Sequence, residues 1–241
     1  MRIGGGIVAD STPSEEWAEI LVKRRIFDRA ADRASLIETM LARSDGSVPR
    51  LGRHLERLER SAFAFGLAVD MAEAEHAILS AAGSPRDVDE LLRLEANSET
   101  MTVRHRFLVP TPYRPRVCIA PTRLCAADPA LRYKTSCRSS YDAAESYARV
   151  HDCFEALLLN DSGHIADGAR TTIFVDSGGV LLTPRLDDGA LAGVLRAELL
   201  ETGRATEAAI DFSRLPTVDL YIGSSARGLH QAELCSVTRV V

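Results

Sequence analysis

The chain has 241 residues, 46% of them apolar and 26% charged, so it can bury a core without disulfide or metal staples. A net charge of −5 argues against general nucleic-acid binding, and no run of about 18 apolar residues is present to cross a membrane. The N-terminal stretch carries Asp10, Glu15 and Glu16 and lacks an apolar leader region, so the expected compartment is the cytoplasm.

In chain order, a helix is predicted over 14–25 and a strand over 35–43. The strand ends at the turn signal Ser44-Asp45-Gly46, with a return strand expected from Val48. Residues 49–66 read as a helix, because Leu51, Leu55, Leu58, Ala62 and Phe65 recur at spacings of three and four, and Gly66 supplies a stop. A second helix is expected over 72–82 and a short one near Ser84 and Pro85. Residues 91–95 and 101–109 read as a hairpin across Asn97 and Ser98. The proline-rich run 110–115 follows and divides an N-terminal α+β domain (1–112) from a C-terminal domain (113–241). Further strands are predicted at 116–120, 155–160, 172–175, 180–183, 206–210 and 219–223, and helices at 141–150 and 194–202. Strands and helices mix without a regular alternation, which predicts an α+β fold.

Two observations narrow the chemistry. The five cysteines are odd in number and form no CxxC pair, and the histidines show no HxxxH or HExxH spacing. Reduced thiols and no metal site are therefore expected. Lysine and arginine total 29, yet only Lys23 and Lys134 are lysine. Arginine cannot form a Schiff base because its guanidinium stays protonated, so any lysine-dependent chemistry is easy to locate.

Four separated segments stand out. They are Arg53-His54-Leu55-Glu56-Arg57-Leu58; Arg132-Tyr133-Lys134-Thr135; the run Asn160 to Phe174; and Gly223-Ser224-Ser225-Ala226-Arg227-Gly228. In order and spacing they resemble fold-type IV enzymes of the class-IV aminotransferase family, which use pyridoxal 5′-phosphate (PLP), from about Ser35 to Gly228. Within that family they most resemble 4-amino-4-deoxychorismate lyase-like proteins. The resemblance implies a two-domain, D-amino-acid aminotransferase-like α+β fold working as a homodimer on a small-molecule amino substrate.

It also implies residue roles. Lys134 matches the lysine that holds the cofactor as a Schiff base and shuttles a proton; read alone it is an exposed lysine at a helix start. Asp167 matches the carboxylate facing the cofactor ring nitrogen, where relatives carry glutamate; alone it is a turn-forming Asp-Gly. Arg57 matches the phosphate clamp, for which a guanidinium fork suits a dianion. Further phosphate donors are expected where a helix begins at Gly193, Val194 and Leu195, and from Ser224 and Ser225. Relatives often have threonine in place of Leu195, so only its backbone can serve.

For the reaction, Thr39 in Ile37-Glu38-Thr39-Met40 matches the threonine that donates a proton to the leaving group in lyases; it also reads as an ordinary β-branched strand residue. Arg227 is the leading candidate for a substrate carboxylate, with Arg106 and Arg138 behind it. Leu41 replaces the arginine usual at its place, and Arg43, on the same strand face, is expected to compensate. The implied activity is elimination of pyruvate from aminodeoxychorismate to give 4-aminobenzoate, as in folate supply. The alternatives are a transaminase acting on a D-amino acid, a branched-chain amino acid or an amine, and a drifted PLP-binding protein of weak activity.

Overall fold

The computed structural model describes residues 34–83 and 87–235. The helices expected at 14–25 and near Ser84 and Pro85 lie outside the described residues. An α+β architecture is present, built on one three-stranded and one eight-stranded sheet.

The smaller sheet is antiparallel, in the order β1 (Leu36–Ala42), β2 (Glu90–Ala96), β3 (Met101–Phe107). Asn97 caps the β2–β3 turn, its side-chain oxygen accepting from the Glu99 and Thr100 N–H groups at 2.9 and 2.8 Å. Alternation along each strand sorts the side chains onto two faces. One face carries Leu36, Met40, Ala42, Leu92, Leu94 and Ala96, all buried. It packs on α1 (Leu51–Phe65) and α2 (Met71–Ala82) through Leu58, Ala62, Phe65, Ala74 and Ile78. The other face carries the cross-strand rows Thr39–Arg93–Arg104 and Leu41–Leu91–Arg106.

The return strand expected from Val48 does not form. The turn at Asp45 and Gly46 is present, with Gly46 at φ 83, but β1 pairs with β2 instead. Arg50, at φ 61, turns the chain directly into α1. Gly66 ends that helix in the left-handed region and donates to the Ala62 and Phe63 carbonyls, as a glycine stop does. The buried face of α1 also differs from the apolar periodicity. His54, Arg57 and Ser61 are buried alongside Leu58 and Ala62, while Leu51 and Leu55 are only partly covered.

The larger sheet runs β6-β5-β4-β11-β10-β7-β8-β9. Its strands are β4 (Arg116–Leu124), β5 (Glu155–Asn160), β6 (Ile165–Gly168), β7 (Thr172–Ser177), β8 (Val180–Thr183), β9 (Ala205–Glu207), β10 (Leu220–Ser224) and β11 (Gly228–Leu234). All six residues of β5 are buried, as expected for a strand covered on both faces. Leu157 and Leu159 join one apolar cluster, while Ala156 and Leu158 join another under α3 (Ser139–Val150). A last helix, α4 (Val194–Glu201), packs by β9 and β10. The strand expected over 206–210 is only Ala205–Glu207, and β6 and β11 were not predicted. Among the described residues, no helix is long and apolar enough to cross a membrane.

Asp167-Gly168 is not a turn. It closes strand β6, and Gly168 is needed there for close approach. A Cβ on Gly168 would stand 2.5 Å from the Thr171 carbonyl oxygen and 3.3 Å from the Glu155 carboxyl carbon. Backbone cannot yield there as a flexible side chain would. Gly168→Ala is therefore expected to cost about 1–3 kcal/mol, read as a lowered urea midpoint.

Candidate active site

A cavity of about 620 Å³ lies where the small sheet, the start of α4 and the β10–β11 turn meet. Backbone pairing creates the junction. The β1 edge bridges to the segment before α3, with Leu36 opposite Thr135, the Ile37 N–H donating to the Lys134 carbonyl at 2.8 Å, and the Ser136 N–H donating to the Ser35 carbonyl at 2.9 Å. Lys134 is thereby held beside the strand that carries Thr39, and both line the cavity.

Lys134 is partly exposed, and the cavity is what it faces. Loss of water pushes its amine down to about 7. Arg57 and Arg138 push the same way, and Glu38 and Asp167 oppose them. A neutral amine is thus available near neutral pH.

Asp167 is 3% exposed. One carboxyl oxygen accepts from the Gly168 N–H at 3.0 Å and the other from the Leu191 N–H at 3.2 Å. Burial pushes this carboxyl up to about 7 and nearby Glu155 adds to the rise; the backbone donors and Lys134 pull the other way. Glu155 is itself buried, accepting from the Thr171 hydroxyl at 2.8 Å and from the Ala156 and Arg170 N–H groups.

A second buried cluster joins α1 to β1. Glu38 stands on the core face of β1, where an unpaired carboxylate would be costly. Arg57 answers it as a fork, Nε donating to Oε1 at 2.8 Å and Nη2 to Oε2 at 2.5 Å. His54, one helical turn earlier, places Nδ1 2.6 Å from Oε2, and its Nε2 lies 2.7 Å from Ser225 Oγ. Burial pushes Glu38 up, but Arg57 and His54 outweigh it and bring the carboxyl down to about 2. Arg50 continues the link, bonding Glu198 of α4 and the Ser225 carbonyl.

The structure gathers most of the sequence-predicted residues at this cavity. Lys134, Thr39, Asp167 and Arg57 line it, as do Val194, Leu195, Ser224 and Ser225. The first N–H groups of α4 have no side-chain cap at Gly193, which leaves them free for an anion. Arg57 spends two donors on Glu38, and Nη1 lies 3.4 Å from the Ala192 carbonyl. Arg227, Arg106 and Arg138 also line the cavity. Arg227 donates to the Val109 carbonyl and the Thr111 hydroxyl and lies over the Phe154 ring.

Arg43 is not brought in. It lies beyond the end of β1, exposed, and does not line the cavity. The row of Leu41 gains its cation from β3 instead, because Leu41 pairs with Leu91 and Leu91 with Arg106. Sequence reasoning assigned no role to Glu38, His54 or Arg93. The signal was present for Glu38: a carboxylate on the apolar face of an alternating strand demands a buried cation.

Glu38→Gln would leave Arg57 as a buried uncompensated charge and is expected to cost about 3–5 kcal/mol at neutral pH. The folded pKa of Glu38 is depressed from 4.5 to about 2, so its contribution is complete above 4.5 and fades as pH falls toward 2. The stability gap between wild type and variant should close over that window in urea melts. Lys134 gives a separate readout. Its modification by an amine-directed reagent, followed by peptide mapping, should be half-maximal near pH 7 rather than 10.5.

Comparison with known proteins places this geometry. A family profile described as Amino-transferase class IV matches residues 35–234. A proposed amino-acid aminotransferase of Mesorhizobium loti is 39% identical, with a TM-score of 0.78 over 84% of this chain and 100% of that one. A proposed 4-amino-4-deoxychorismate lyase is 27% identical, with a TM-score of 0.73 over 97% of this chain and 93% of that one. A curated relative, a proposed branched-chain-amino-acid aminotransferase of Thermotoga maritima, is 29% identical over 62 residues; the match spans 26% of this chain and only 23% of that protein. The two-sheet α+β arrangement is that of fold-type IV aminotransferases.

Proposed function

The chain belongs to the amino-transferase class IV family, whose cofactor is PLP, and we propose that it is a lyase of that family. Its proposed substrate is 4-amino-4-deoxychorismate, from which loss of pyruvate leaves 4-aminobenzoate.

The residues present suit the cofactor. The uncapped start of α4, Ser224 and the Arg57 N–H groups not spent on Glu38 form a donor set fit for a phosphate, and Ser225 lines the same cavity. Asp167, buried and anchored by two backbone N–H groups, would meet the ring nitrogen. Lys134 would carry the cofactor. PLP held there supplies an electron sink for charge developing at the amine-bearing carbon of the substrate.

The chain's own groups then divide the proton work. The Lys134 amine, free once the amine of the substrate holds the cofactor in its place, would take the proton from the amine-bearing ring carbon. The Thr39 hydroxyl gives a proton to the departing enolpyruvyl oxygen, which leaves as pyruvate while the ring becomes aromatic. Proton loss at one carbon and protonation of the leaving oxygen balance.

The observation that carries this reading is the charge of the cavity wall. Arg93, Arg106, Arg138, Arg170 and Arg227 line it in a chain of net charge −5. Asp142 pairs with Arg138, Glu145 with Arg170 and Glu95 with Arg93, whereas no carboxylate lies within ion-pair distance of Arg106 or Arg227 among the described residues. Such a wall suits a substrate with two carboxylates, as aminodeoxychorismate has, better than an aliphatic amino acid. The second reading, a transaminase, is favoured by the likeness to the M. loti protein.

With aminodeoxychorismate and no keto acid, the PLP-loaded protein should form 4-aminobenzoate. Thr39→Val should lower kcat by about a hundredfold, and Lys134→Ala should abolish turnover. Amino transfer to pyruvate or 2-oxoglutarate, with no 4-aminobenzoate formed, would overturn the lyase in favour of the transaminase.

A further inference from the structure

Glu38, His54 and Ser225 form a line of hydrogen bonds from the core to the cavity, with spacings of 2.6 and 2.7 Å. The direction of its protons follows from the groups themselves. Glu38 is ionised at neutral pH and can only accept, so His54 Nδ1 must carry the proton between them. In a neutral imidazole Nε2 is then an acceptor, and it takes the Ser225 hydroxyl proton. Ser225 therefore points its proton at His54 and offers the cavity only lone pairs. That is the wrong polarity for a phosphate, although Ser225 lines the same cavity as the uncapped start of α4.

Two rearrangements could reverse it. Ser225 could turn its proton to the phosphate unaided, leaving Nε2 of a residue 1% exposed without a partner, at about 1–3 kcal/mol. Alternatively His54 could take a proton at Nε2 and donate it to Ser225 Oγ, freeing the hydroxyl proton for the phosphate. The surroundings favour the second. Glu38 on β1 already faces the ring, and the arriving dianion would face it through Ser225. The opposing charges are Arg57 on the same helix and Lys134; Arg50, next to the Ser225 carbonyl, is neutralised by Glu198. In the absence of an anion, desolvation holds His54 below its ordinary value.

We propose that His54 is a positioning residue that binds one proton together with the phosphate and so converts Ser225 from an acceptor into a phosphate donor. The proposal rests on the cofactor reading above and adds a proton to it. The proton comes from solvent, since a phosphate ester of pKa about 6 is already a dianion above neutrality.

Titration calorimetry of the full chain with pyridoxine 5′-phosphate tests it. This ligand has the ring and the phosphate but no aldehyde to react with Lys134. Two buffers of different ionisation heat, between about pH 7 and 8, give the protons taken up on binding. Wild type should take up close to one proton more than His54→Gln, whose amide cannot titrate, so any proton exchanged at Asp167 cancels in the difference. The wild-type Kd should also rise more steeply with pH, by up to about tenfold per unit. Ser225→Ala, a change in the turn that leaves the His54–Glu38 pair in place, should lose the extra proton too and serves if His54→Gln misfolds. Equal proton uptake by wild type and variants, with the ligand bound, overturns the role of His54 and leaves the cofactor reading standing. No binding of pyridoxine 5′-phosphate to wild type overturns both.

Discussion

A single buried carboxylate organises the approach to the cavity. Strand alternation puts Glu38 among Leu36, Met40 and Ala42, where it has no water to solvate it. Charge compensation must therefore come from protein, and α1 supplies it from two positions three residues apart, His54 and Arg57. The pairing fixes how α1 lies on the small sheet. The start of the helix reaches the β10–β11 turn, His54 bonding Ser225, and Arg50 and Arg53 carry the attachment on to Glu198 and Glu201 of α4. The β10–β11 turn is thus two hydrogen bonds from Glu38, and Arg57 reaches the segment before α4 directly at the Ala192 carbonyl.

The same desolvation that makes Glu38 demand partners acts differently where partners are scarce. Lys134 and Asp167 both line the cavity, and burial pushes each toward its neutral form, from opposite sides, to about 7. Glu38 received a guanidinium fork and stays charged; Asp167 received only backbone N–H groups. The result is a charged anchor behind the cavity and two groups on its lining poised near neutrality, a setting suited to moving protons. Around it the arginines of β2, β3 and the loops give a positive wall to a protein that is negative overall.

Much of this was legible in the chain before folding. Lysine scarcity singled out Lys134, and four spaced segments named the family. The periodicity of 49–66, the Asn97 turn and the apolar run 155–160 gave three elements close to their final bounds. What failed had local causes. Val48 looked like a return strand because a turn signal preceded it, but β1 found its partner some fifty residues later. Asp167-Gly168, which taken alone reads as a turn, lies within a strand, where close packing against Thr171 and Glu155 uses that glycine. Arg43 shared a strand face with Thr39 and Leu41, yet the strand ends before it.

Residue identity and spacing thus determined the family and the α+β class and picked out most of the side chains that line the cavity, because family patterns are written in composition and local order. Tertiary structure alone decided which charges meet. Arg57 became a partner of Glu38 before it could serve any ligand, Arg106 took the row that Leu41 left without a cation, and His54 came to stand between a core carboxylate and a cavity hydroxyl. Those pairings join residues 16 to 171 positions apart along the chain. They are set by strand register and helix docking, which no local pattern encodes.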